Sequence, residues 1–256
     1  MWCGATSPCG RRGGDDAYTA LTVGPAGQVC AAGATASSPG EPSDVLVRAY
    51  GAGGSVLWRR VWTWPGRSDD GADAGDSAAS AVVTGGGDVY VAGREATGAG
   101  ASAALLVSFA PDGTRRWAHD FAAPGATSAR ATALACASGP IVAGWSTSAG
   151  GSDDGFVARY TAGGTPLWSH TGSGTLGLAV CPVDGSFAFT SGTGSLTAAS
   201  ITAAGEQAWE RSVSPAGYDD FRPVAVRASG SAYLYAAGSA AVDGGGHASV
   251  LVRYRP

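Results

Sequence analysis

Apolar residues come along this chain in short runs, with small and β-branched side chains alternating. VCAAG (29–33), VYVAG (89–93), PIVAG (140–144), AFTSG (188–192) and LYAAG (234–238) are five such runs, each closed by a glycine. A period of two, with little of period 3.6, predicts strands, and no segment reads as a helix of four turns. The closing residues Gly33, Gly93, Gly144, Gly192 and Gly238 lie 60, 51, 48 and 46 residues apart. A second apolar run follows each and ends at Tyr50, Phe109, Tyr160, Ile201 or Tyr254. Four times a tryptophan stands eight residues further on, at Trp58, Trp117, Trp168 and Trp209, with Gly54, Gly113, Gly164 and Gly205 four residues before it. Landmarks repeated in a fixed order decide a fold before any local reading does.

Each copy reads as four short strands. The first is 20–23 or 81–84, the second is the run closed by glycine, the third ends at the aromatic, and the fourth carries the tryptophan. GAGG, APDG and TAGG between the third and fourth strands are hairpin turns, because glycine adopts positive φ without strain. Four-stranded units of ~40–60 residues with a recurrent Trp predict an all-β, five-bladed β-propeller of four-stranded antiparallel blades. Alanine and glycine suit the crowded axis; Trp and Tyr suit the wide outer part of each wedge. The four tryptophans are therefore expected between blades, with an aromatic ligand box as the alternative.

The expected blades are 15–64, 76–123, 127–172, 175–214 and 219–256, in one domain over 1–256. The last stops after its third strand. Trp2 stands 14 residues before Asp16, much as Trp58 stands 18 before Asp76 and Trp209 stands 11 before Asp220. Residues 1–4 are therefore expected to supply the missing fourth strand and close the ring, which removes its open edges. The competing expectation is a fragment of a larger propeller.

The pattern Gly-x-Val-Tyr-Val-Ala-Gly, then Leu-Val-x-x-Phe/Tyr, then Gly-x-x-x-Trp resembles the bacterial SBBP-type β-propeller repeat and the PQQ-like repeat. The resemblance covers 15–256 and Trp2, and it is specific for fold. It implies a binding or scaffold module, often of the bacterial envelope, hence an extracellular or envelope location. The fourth blade departs most, with Ile201 in the aromatic position and AFTSG as its second strand.

Composition narrows the function. Net charge is −4, so binding to nucleic acid through phosphate contacts is not expected. No run is long and apolar enough for a membrane-spanning helix, and the first residues lack the apolar core of a signal peptide. The chain has no lysine, which removes Schiff-base and Walker-type chemistry. No nucleophile elbow occurs either.

The remaining polar residues each have a plain reading. His119 and His170 follow their tryptophans by two, where Arg60 and Arg211 stand in other copies, and read as outer-rim surface residues. His247 lies in a glycine loop with no metal-ligand spacing. Asp69, Asp70, Asp73 and Asp76 form an oxygen-rich stretch that could take calcium. Asp15, Asp16, Asp219 and Asp220 recur near the place of Asp76, which favours turn capping instead. Asp44, Asp153 and Asp154 likewise read as turn residues. Cys3 and Cys9 could pair in an oxidising compartment, while Cys30, Cys136 and Cys181 read as small buried hydrophobes.

These residues point to no catalytic, metal or cofactor site. The expectation is a non-enzymatic, monomeric binding module whose loops at 34–44, 94–103 and 146–153 face a glycan or protein. Trp145 begins near the last of them. A quinone-dependent dehydrogenase is the weaker alternative, since five short blades and the lack of asparagine argue against it.

Overall fold

A computed structural model describes residues 16–36, 43–62, 77–83, 87–98, 101–122, 125–151, 153–173, 177–180, 187–192, 196–214, 218–229, 233–242 and 245–255. All of its regular elements are strands, in five successive units. The first unit is β1 (Asp16–Val23), β2 (Val29–Ala36), β3 (Ser43–Tyr50) and β4 (Val56–Trp62). The second is β5 (Ser77–Val83), β6 (Val89–Gly98), β7 (Ala101–Phe109) and β8 (Arg115–Phe121). The third is β9 (Ala126–Cys136), β10 (Pro140–Ser148), β11 (Asp153–Tyr160) and β12 (Pro166–Ser173). The fourth is β13 (Gly177–Val180), β14 (Phe187–Gly192), β15 (Leu196–Ile201) and β16 (Gln207–Val213). The fifth contributes β17 (Tyr218–Ser229), β18 (Tyr233–Val242) and β19 (His247–Tyr254). Within each unit, consecutive strands pair antiparallel as a meander. One departure from separate four-stranded sheets joins the second and third units. A single parallel bridge pairs Ser102 with Ser128, and the Ser102 hydroxyl donates to the Ala129 carbonyl at 3.3 Å.

The first strands begin earlier than their apolar alternation predicts. β1 starts at Asp16 and β5 at Ser77, not at residues 20 and 81. The reason is a β-bulge that breaks the alternation. Pairing skips one residue between Tyr18 and Ala20, between Ala78 and Ser80, and between Pro223 and Ala225. In each case the strand facing the bulge presents its recurrent glycine: Gly33 pairs Tyr18, Gly93 pairs Ala78 and Gly238 pairs Pro223. In the third unit the shift falls at Gly144, which pairs Ala131. A bulged backbone swings towards its partner, and only glycine leaves room for it. A β-carbon on Gly33 would lie 1.8 Å from the Ala17 carbonyl oxygen, and one on Gly144 would lie 2.0 Å from that of Arg130. Gly192 is different: it pairs Leu196 and faces no bulge across the four-residue β13.

The units stack in chain order. β1 lies against β5, β5 against β9, β9 against β13, and β13 against β17, so the first strands run together along one axis in a propeller-like way. Each interface buries its own apolar cluster. Cys30, Ala32, Val45, Val47 and Trp58 meet Val89, Val91, Leu105 and Phe109 between the first and second units. Leu106 and Phe121 meet Val142, Phe156 and Tyr160 between the second and third. Ile141, Val157 and Trp168 meet Ile201 between the third and fourth. Trp209 and Ala198 meet Leu234, Ala236 and Tyr254 between the fourth and fifth. Trp2, Cys3, Cys9, Asp15, Asp69, Asp70, Asp73, Asp76 and Cys181 lie outside the described residues.

Replacing Gly144 with alanine should destabilise the chain by about 3 kcal/mol or more, because the obstacle is backbone and cannot rotate away. Thermal unfolding measures this. A G144A chain that melted with the wild type would contradict the bulge geometry.

Candidate functional site

The meander leaves two edges on every unit. One edge carries the turns from first to second and from third to fourth strand. The other carries the second-to-third connections and the links between units. The first of these edges holds the most consistent polar geometry in the molecule.

The third-to-fourth turns at 51–55, 110–114, 161–165 and 202–206 share one conformation. In each, the first residue's N–H donates to the fifth residue's carbonyl at 2.7–2.8 Å, and the glycine N–H donates back to the first carbonyl at 2.8–3.0 Å. Gly54, Gly113, Gly164 and Gly205 have φ between +80° and +92°. Three-residue loops ending in a left-handed glycine match the twist of the flanking strands. Side chains brace three of the four: Thr161 Oγ1 accepts from the Thr165 N–H at 3.0 Å, and Thr202 Oγ1 accepts from the Glu206 N–H at 3.1 Å. Asp112 does the same for Thr114 at 2.8 Å, and that bond holds its carboxyl below the ordinary range.

The turns of the second, third and fourth units each receive the tryptophan of the preceding unit. The Trp58 indole N–H donates to the Pro111 carbonyl at 2.8 Å, that of Trp117 to Ala162 at 2.9 Å, and that of Trp168 to Ala203 at 3.2 Å. The indole lies on the turn glycine so closely that a β-carbon on Gly113, Gly164 or Gly205 would be 2.7 Å from the ring. The same ring faces the next unit's third-strand landmark. Trp58 and Phe109 centroids are 6.0 Å apart, Trp117 and Tyr160 centroids 6.3 Å. Where Ile201 replaces the aromatic, it is still buried in the cluster that Trp168 covers.

The residue two after each tryptophan adds a second bond. Arg60 Nε donates to the Gly113 carbonyl at 2.8 Å, His119 Nε2 to Gly164 at 2.6 Å, and His170 Nε2 to Gly205 at 2.7 Å. The expectation of rim residues on the surface is thus corrected: His119 and His170 are half-buried and tie units together. His119 also stacks on Tyr160, with centroids 5.1 Å apart and planes 17° apart. Their regular spacing carried this signal, because a position that holds only Arg or His is one that needs an N–H donor.

The acidic residues are also placed differently from turn caps. Asp16 opens β1 and accepts from the Thr35 hydroxyl across the β1–β2 pair. Asp153 opens β11 and accepts from Thr147 at 2.6 Å, while Asp44 lies in β3 opposite Thr35. These are cross-strand bonds at strand ends. Strands likewise take up much of the expected binding loops. β2 continues to Ala36, β6 to Gly98 and β10 to Ser148, so Trp145 is a strand residue opposite Arg130 and Gly155. Gly, Ser, Ala and Thr read as loop in the sequence, yet here their backbone groups are paired in the ladder.

Chemically reactive groups are few among the described residues. Cys30 is a buried free thiol whose pKa burial pushes up to about 11. Cys136 is a free thiol that is only half-buried, at the end of its strand. Burial pushes Tyr90 up to about 12, and its hydroxyl finds no partner among the described residues. Glu95 is the buried carboxylate that residue pattern alone did not single out; it is 1% exposed. On β6 it shares the face of Val89 and Val91, towards the first unit. No group of three or more His, Cys, Asp or Glu is placed to hold a metal ion among the described residues. Among the described residues no helix is long and apolar enough to cross a membrane.

No protein-family model matches the chain, and no curated protein sequence does. Solved structures do resemble it. A protein of unknown function from Dyadobacter fermentans is 14% identical with a TM-score of 0.57, over 91% of this chain and 74% of that one. A protein of unknown function from Bacteroides caccae is 12% identical with a TM-score of 0.46, over 88% and 71%. BamB from Moraxella catarrhalis is 14% identical with a TM-score of 0.34, over 92% and 85%. Only the first is close enough to speak to the fold.

His119→Ala should cost about 1–3 kcal/mol, the sum of a hydrogen bond and a ring stack. His119→Arg should restore most of it, because Arg60 makes the same bond one unit earlier. If thermal melts show the arginine variant falling as far as the alanine variant, the two residues do not share this role.

Proposed function

We propose that the chain is a five-bladed β-propeller of the SBBP or PQQ-like kind, closed by residues 1–4, and that it works as a non-enzymatic binding or scaffold module. The repeated Trp-x-Arg/His clamp carries this reading. His119 and His170 are the side chains best suited to proton transfer, and their Nε2 atoms are bound to neighbouring turns. Polar chemistry is thus committed to joining units. The partner would be a glycan or a protein held by the connections at 37–42, 99–100 and 149–152. The proposed state is a monomer without cofactor.

Two features support closure by the N-terminus. Gly54 sits where Gly113, Gly164 and Gly205 each hold an indole, yet a β-carbon there would meet nothing within 4 Å among the described residues. Trp2 has the spacing of the tryptophan that would fill this place. A structural fragment of a larger bacterial surface propeller protein is the second reading. A quinone-dependent dehydrogenase is the weakest, and addition of the quinone should give no turnover with alcohols.

Deleting residues 1–10 should lower stability by about 3–5 kcal/mol, the cost of removing a packed tryptophan. Calorimetry of both chains, with and without calcium, reads this directly. Equal melting temperatures would remove the closing strand from the account. A rise with calcium would turn Asp69, Asp70, Asp73 and Asp76 from caps into a metal site. A glycan array then tests the binding face, and oxidation of alcohols with added quinone would overturn the non-enzymatic reading.

A further inference from the structure

We infer that Arg253, on the outward side of the fifth unit, joins the two ends of the array by donating to the Ala52 carbonyl on the first unit's turn. This rests on the ring reading above and names the contact that would make it. The precedent lies within the chain. Arg159 immediately precedes Tyr160, and Arg253 immediately precedes Tyr254. Each pairs the residue three before its unit's second-strand glycine: Arg159 with Ile141 before Gly144, Arg253 with Tyr235 before Gly238.

Arg159 works in two directions. One nitrogen donates to Ser138 Oγ in its own unit's first turn at 2.9 Å, and another donates to the Ala203 carbonyl of the next unit at 2.7 Å. That carbonyl is the one Trp168 also uses. Arg253 replaces the first half of this arrangement with a ring contact in its own unit. Its guanidinium lies 4.9 Å over the ring of Tyr233, at the head of β18 where Gly139 stands beside Ser138 in the third unit. The second half needs a carbonyl placed like that of Ala203. Ala52 occupies that position, second in the turn 51–55 as Ala203 is second in 202–206.

Exposed apolar side chains stand at both ends of the array. Val250, Val252 and Tyr254 pack towards the fourth unit, so Leu251 and Arg253 face the other way. Leu251 is 72% exposed, whereas its counterparts Val157 and Ala198 are 1% and 0% exposed inside their interfaces. On the first unit, Leu57 and Val61 are exposed at 56% and 41%. Joining these ends repeats the interface that the inner units already make. It buries Leu251 and gives the guanidinium a charge-assisted acceptor.

The test uses the full chain. Arg253→Met should lower the melting temperature by about 3–8 °C, as Arg159→Met should, because each loses a hydrogen bond from a charged donor. Spin labels on unnatural residues at positions 57 and 247 should give one short distance by pulsed dipolar spectroscopy, independent of protein concentration. A short distance with no effect of R253M, against a clear effect of R159M, overturns the Arg253 contact and leaves the ring. A long distance overturns both. A short distance that appears only as light scattering detects dimers assigns the surface to a second copy and overturns the inference.

Discussion

An indole pressed onto a left-handed glycine is the contact on which the rest of this structure depends. Gly113, Gly164 and Gly205 must be glycine twice over. Their φ values exclude a comfortable side chain, and the tryptophan of the preceding unit occupies the space a β-carbon would need. Turn and tryptophan therefore belong to one device, although they lie in different units. The bulge glycines Gly33 and Gly144 impose a similar condition nearer the axis, where backbone meets backbone. Between these two kinds of glycine, each sheet is fixed to its own first strand inside and to the next sheet outside.

The polar part of the contact explains why so apolar an interface has a definite register. A buried carbonyl without a donor is costly, so each turn that packs against a neighbour needs its carbonyls satisfied from that neighbour. The indole N–H takes one carbonyl and the Arg or His two residues later takes the turn glycine's carbonyl, two residues further on. Sliding one sheet along the other by a single residue would break both bonds together. Arginine and histidine can exchange at this position because each brings an N–H to the same place, and neither bond requires a counter-charge. Arg159 adds a third donor between the third and fourth units, the interface whose third-strand landmark is Ile201 rather than an aromatic.

Much of this fold could be read from residues alone, and the limits were physical. Strand type, order and period followed from the spacing of the glycines and tryptophans. The starts of the first strands did not, because a bulge at Tyr18 or Ala78 breaks the alternation on which the reading relies. Thr35 and Thr147 fall in stretches that predict loop for a related reason: small polar residues pair in a ladder as readily as they form turns. The histidines were visible as a repeat position, yet a repeat cannot say which neighbour it touches. Spacing places Trp117 eight residues after Phe109 in one unit, while in space it packs on Tyr160 of the next. Glu95 had no sequence signal, since one buried carboxylate has no period.

The same logic bears on function. A site needs polar groups that the fold has left uncommitted, and among the described residues the units bind several of theirs to one another. Sixteen arginines and three histidines are the basic side chains of 256 residues. Arg60, His119, Arg159 and His170 hold neighbouring turns, and Arg116 pairs with Asp88 at 3.0 Å. Buried hydroxyl and thiol groups such as Tyr90 and Cys30 are held in their neutral forms by the surrounding hydrocarbon. Under the proposed binding role, recognition would fall to shape and backbone at the connections between second and third strands. Those connections are short and rich in glycine and serine, which suits a partner that is itself broad and polar better than a small molecule needing enclosure.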